Sequence, residues 1–277
     1  MGRLVFAAMD GLAENLLAAV IGGGLAWGWR VARKRAVSKD VRAMWGPFLT
    51  ENSCIVQGSL SAQTLSEDLP GRVPAELREQ AVVMLPHVVK NLAEQEPSGL
   101  MGKGDHEAIV GVQAGLAKAG RRRMVPVRSD DNLGDSRGDN LIVVGGRDVN
   151  EVTDDLLSRL KCTVTIARDE SDRNFVEDLI DRQSWSMTAT EKDIWDYGIV
   201  VRAPSPYQKG RYVVVLAGAS GYGCMAAADV AVNATKRMAE LSREFPHGFE
   251  CIVSYHRSGD AVSSTEASEI VLFRELR

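Results

Sequence analysis

Two uninterrupted apolar runs, Leu141–Val144 and Tyr212–Ala217, each end in glycines and pass directly into a helical period. A continuous Val/Ile/Leu run suits a strand covered on both faces, and a helix following at once suits a crossover connection. Further strand patterns occur at Ser53–Gln57, 124–127, 162–167, 197–203, 249–255 and 269–273. Helical spacing occurs at 75–92, with Pro86 near its end, and at 105–120, 152–160, 175–180 and 224–241. The polar stretch 129–139 is a loop. This alternation predicts an α/β chain with a mostly parallel, Rossmann-like sheet and helices on both faces. The last two strands are expected to be antiparallel at an edge.

The N-terminal region has a different character. Within Leu12–Val31 the uncharged run Asn15–Trp29 contains Gly22–Gly24, and Arg30, Arg33, Lys34 and Arg35 follow that run at once. A short apolar segment beside Trp27, Trp29 and a basic collar predicts one membrane helix, with an in-plane helix as its rival. The positive collar places everything beyond it in the cytoplasm, at the inner membrane. The expected organisation is an anchor at 1–31, a basic linker at 32–44 and a cytosolic α/β domain at 45–277. That domain divides into possible lobes at 45–130 and 139–277. Residues 1–42 carry seven basic and three acidic groups, whereas the remainder carries 26 basic and 34 acidic, a net −8. An acidic body is a poor partner for nucleic acid. The four cysteines form no CxxC or zinc spacing, so no metal is expected and reduced core cysteines are.

Two strand-to-helix junctions carry the candidate ligand residues. The first contains Gly145, Gly146, Asp148 and Asn150; the second contains Gly218, Ser220, Gly221, Tyr222 and Gly223. Glycines let a backbone approach a ligand, and the free amides of a helix start favour an anion. The second loop resembles the GASGxxG turn of extended short-chain dehydrogenases, which implies a dinucleotide pyrophosphate at its amides. Its third glycine stands one place early, at 223, and no Tyr-x-x-x-Lys follows. Ser220 is not in a Gly-x-Ser-x-Gly elbow, because residue 222 is Tyr. A Gly-rich loop at 99–104 precedes Asp105, a possible helix cap.

The architecture of anchor, collar and α/β body resembles that of bacterial membrane-anchored sensor and effector proteins. That resemblance implies a tethered, homo-oligomeric binding module for a nucleotide-like or phosphorylated ligand, with the lipid bilayer as a further partner and no cofactor. The alternatives are a membrane-bound hydrolase or transferase acting on a nucleotide or nucleotide sugar, and a scaffold without a small ligand. Asp148, Glu151, Asp154 and His256 are the candidate acids and bases of the enzyme reading.

Overall fold

The computed structural model describes residues 39–49, 52–58, 102–171, 173–259 and 265–276. A helix over 39–49 (α1) precedes β1 (Ser53–Gln57). There follow α2 (Lys103–Lys118), β2 (Val127–Ser129), β3 (Asn140–Val144) and α3 (Glu151–Arg159). Next come β4 (Val164–Arg168), β5 (Asn174–Asp178), β6 (Gln183–Ser186), β7 (Thr188–Ala189), β8 (Asp193–Pro204) and β9 (Tyr212–Gly218). The chain ends with α4 (Gly221–Asn233), α5 (Thr235–Glu244), β10 (Phe249–Ser258) and β11 (Thr265–Glu275).

Among the described residues the main sheet has eight strands in the order β11-β10-β8-β9-β3-β1-β2, with β7 beside β8. Parallel pairing is confined to β2, β1, β3 and β9. The remaining pairs, β7–β8, β8–β9, β8–β10 and β10–β11, are antiparallel. The expectation of a mostly parallel Rossmann-like sheet is therefore corrected to a mixed, mostly antiparallel one. The cause is local: β8 turns back into β9 through the short Ser205–Arg211 connection, closed by Ser205 N–H donating to the Arg211 carbonyl at 2.7 Å. A hairpin has no crossover helix, so its strands run antiparallel.

Period-two alternation divides the core between the two faces. Ile55, Ile142, Val144, Val200, Leu216 and Val253 meet α1, α2, α4 and α5. Val56, Leu141, Val143, Ile199, Val215 and Ala217 meet α3 and a second, antiparallel sheet, β4-β5-β6. Each fully buried Val, Leu or Ile stabilises the fold by about 1.5–3 kcal/mol. The single helix expected over 224–241 is two, because the chain breaks at Ala234 with φ −78° and ψ 45°. The helix expected at 175–180 is instead strand β5 and a turn. Val176 is buried, whereas Leu179 and Ile180 are exposed. The apparent helical spacing there included two residues that face water.

Polar groups fasten the second sheet to the first. Glu250 on β10 accepts from Thr163 N–H at 2.8 Å and from the Thr163 hydroxyl. Fully buried Asp178 on β5 meets Arg274 on β11 at 2.5 Å.

The membrane expectation is corrected as well. Among the described residues no helix is long and apolar enough to cross a membrane, so the description as a single-pass membrane protein finds no support in the fold. The Leu12–Val31 segment, the basic linker up to Ser38, and the 75–92 pattern lie outside the described residues.

Burial alone would raise the Asp178 pKa, but Arg274 and the Ile180 amide outweigh it and hold the carboxyl below its ordinary range. A depressed carboxyl pKa stabilises the fold above the unfolded-state value, near 3.9. That stability is lost as pH falls through the folded value. Arg274→Ala is expected to cost about 3 kcal/mol in urea denaturation at pH 7, the low end for a buried pair because Arg274 keeps some exposure. The difference from wild type should shrink as pH drops below about 4.

Candidate functional site

The carboxyl ends of β1, β3 and β9 lie side by side, and the strand order reverses between β1 and β3. Ligands of open α/β sheets bind outside such ends. Both predicted loops stand on this edge and touch one another. A Cβ built on Gly146 would lie 2.9 Å from the Gly218 carbonyl oxygen. The same closeness recurs around them. A Cβ on Gly58 would lie 1.8 Å from the Val149 oxygen, one on Gly104 2.3 Å from the Gly221 Cα, and one on Gly198 2.2 Å from the Gly223 oxygen. Backbone fills the space against these glycines. Gly145 has a second requirement, a φ of +115°, where an L side chain is strained.

In the first loop the predicted side chains serve the fold. Asn150 is fully buried and caps α3, accepting from Val152 N–H at 3.1 Å. Its amide donates to the Val56 and Val144 carbonyls, tying β1 to β3. Asp148 turns toward the second sheet, where it meets Arg168 and the Asn174 amide, each at 2.5 Å. Asp154 pairs with Arg147 at 3.4 Å. The Glu151 amide, at the start of α3, donates to the Asp130 carboxylate at 3.1 Å.

In the second loop a carboxylate of the protein occupies the place an anion would take. Asp196 on β8 is fully buried, and its Oδ2 accepts from Gly223 N–H at 2.6 Å and from Ser220 Oγ at 2.6 Å. Its Oδ1 is buried without a hydrogen-bond partner. Burial raises the Asp196 pKa, opposed by the Ser220 hydroxyl and by backbone amides. Ser220 also caps α4, accepting from Tyr222 N–H at 3.3 Å. Nearby, Asp105 in the first turn of α2 is 9% exposed and accepts from the Cys224 thiol. Burial and then Asp105 push the Cys224 pKa well up, so the sulfur stays protonated. Asp105, Asp196, Ser220 and Cys224 thus form an acidic, largely buried cluster at the edge.

Sequence reasoning missed Asp196 and Cys224 as members of this site, and it considered Asp105 only as a cap. The signal for Asp196 was present: it shares inward parity with Gly198 and Val200 along β8. Tyr222 stacks on Tyr255, centroids 5.1 Å apart and planes at 17°, with Arg257 over its ring. His256 lies elsewhere. It stacks on Trp195 at 3.8 Å, bonds Asp193 at 3.2 Å, and points to the sheet face opposite Asp196. It does not pair with Ser220. Ser220 itself is extended, with φ −139°, unlike the sharp turn of a hydrolase elbow. Among the described residues, no group of three or more His, Cys, Asp or Glu could hold a metal.

No protein-family model and no curated protein matches the chain.

The close glycines give a direct test. Gly104→Ala gains helix propensity but drives its Cβ into the Gly221 backbone, and overpacking of this kind costs about 1–3 kcal/mol. Gly111, in the same helix with nothing within 4 Å of its Cβ position, is the control. Gly111→Ala should stabilise by roughly 0.5–1 kcal/mol. Thermal denaturation of the two variants should move in opposite directions.

Proposed function

We propose that the domain is a ligand-binding module for a small molecule bearing a nucleoside, held at the carboxyl edge of the parallel strands. The ligand donates hydroxyl or amine hydrogens to Asp196 and Asp105. One observation carries this reading. The first-turn amide of α4 is already satisfied by Asp196, whose second oxygen is buried and without a partner. An unsatisfied buried acceptor costs stability, about 1–3 kcal/mol, and a donor from a ligand would recover it. A phosphate at the same amides would have to displace one carboxylate and approach another, Asp105. Nucleoside chemistry fits the edge better than phosphate chemistry, because ribose hydroxyls and base amines are donors. The location agrees with the general placement of ligands in open α/β sheets. Catalysis has less support: Asp148 and Asp154 are held in ion pairs, and His256 is on the other face.

Thermal-shift measurements on the full chain test this with adenosine, ATP and inorganic pyrophosphate. At 100-fold excess over Kd, a bound ligand contributes about 2.7 kcal/mol. For a domain of this size that raises Tm by roughly 5–10 °C. Adenosine and ATP are expected to shift Tm, and pyrophosphate is not. Ser220→Ala, which frees Asp196 to reorient, should diminish the adenosine shift. A shift with pyrophosphate and none with adenosine would sink the proposal.

A further inference from the structure

The eight-stranded sheet ends in β2 on one side and in β11 on the other, and among the described residues neither has a further strand beside it. An edge strand presents unpaired N–H and C=O groups to the next chain it meets. Nine large hydrophobic side chains are exposed among the described residues, and six of them stand at these two edges. Met124, 79% exposed, and Val127 belong to β2 and the segment leading into it. Val271 and Phe273 belong to β11. Leu179 and Ile180 lie beside β11, between Asp178 and Asp181, the two acids that meet Arg274. Single exposed apolar residues are ordinary on a protein surface, but their concentration at both ends of one sheet marks an interaction surface.

The two edges carry opposite charge. Arg122, Arg123 and Arg128 are exposed around β2. Of the acids that follow them, Asp130 is bonded to the Glu151 amide at the start of α3. Glu266, Glu269 and Glu275 are exposed along β11, with Asp181 next to it. The cations on that side are engaged: Arg274 with Asp178, Arg182 with Glu177 and Arg237 with Glu240. Like charges placed opposite one another destabilise a strand pair, and opposite charges stabilise it. The charges therefore oppose β2 against β2 and β11 against β11, and they attract β2 to β11.

We propose that copies of this chain associate head to tail, the β2 edge of one against the β11 edge of the next. Such an interface is heterologous, so it closes into a ring or extends as a filament. Strand pairing supplies only part of it, because β2 is three residues long. β11 also has a bulge at Val271, where Ile252 pairs with Leu272 and Val253 with Ile270. A bulge interrupts the ladder. The exposed apolar side chains and the opposed charges supply the rest, and the charge contribution falls with salt.

Sedimentation velocity of the full chain over a concentration series tests the proposal with two variants, each altered only at exposed side chains. Arg122→Glu with Met124→Glu spoils the β2 edge, and Glu269→Lys with Val271→Lys spoils the β11 edge. Wild type is expected to associate beyond dimers, and about tenfold or more weakly when salt is raised from about 0.05 M to about 0.5 M. Each variant alone should stay monomeric. An equimolar mixture of the two should associate again, because each retains the edge that the other lacks. Wild type that is monomeric at about 100 μM, or that stops at dimers, would overturn the proposal. So would association of either variant alone, which marks an edge pairing with its own kind, or a mixture that stays monomeric.

Discussion

Backbone touches backbone along the carboxyl edge of the parallel strands, and the layers of the domain depend on that contact. Gly58 against Val149, Gly104 against Gly221, Gly146 against Gly218 and Gly198 against Gly223 bring loops and helix ends closer than any Cβ would allow. Because Gly104 and Gly221 meet, α2 and α4 start at one level and run parallel over the sheet. Because Gly198 meets Gly223, the start of α4 is pressed onto β8. That contact places Asp196 within 2.6 Å of both the Gly223 amide and the Ser220 hydroxyl.

The closeness also sets the electrostatics. Helix starts attract negative charge, and in this domain the protein supplies it: Asp196 at α4, Asp130 at α3 and Asp105 in the first turn of α2. An edge that looks anion-binding in sequence is therefore acidic in structure. The unpaired polar atom there, Asp196 Oδ1, is a buried acceptor rather than a donor. The opposite face of the sheet is fastened differently, through Glu250 with Thr163 and Asp178 with Arg274, which join strands distant in sequence.

Much of the element content was legible. The strands at 53–57, 141–144 and 212–217 and the helices following Gly104, Asn150 and Ser220 follow from apolar periodicity and cap residues alone. So did the antiparallel edge formed by β10 and β11. The expected helix at 175–180 failed because periodicity cannot tell a buried leucine from an exposed one. The expected parallel sheet failed because the direction of β8 depends on a hairpin, and Pro204-Ser-Pro206 reads equally well as a stop or a turn. The candidate site was legible in its glycines and in Asn150 and Ser220 as polar residues beside them; the capping by Ser220 came from the structure. It was not legible in Asp196, which meets Ser220 only through the pairing of β8 with β9.

The sequence by itself determined most of the strands and helices, where the glycine junctions lie, and that both junctions open helices. Those properties are local: they rest on side-chain period, capping chemistry and the freedom of glycine. Only the tertiary structure decided what the glycines are for and what occupies the amides beside them. That depends on which backbones meet and which carboxylate comes within hydrogen-bond reach. Such distances are set by the packing of elements far apart in the chain, and local pattern does not carry them.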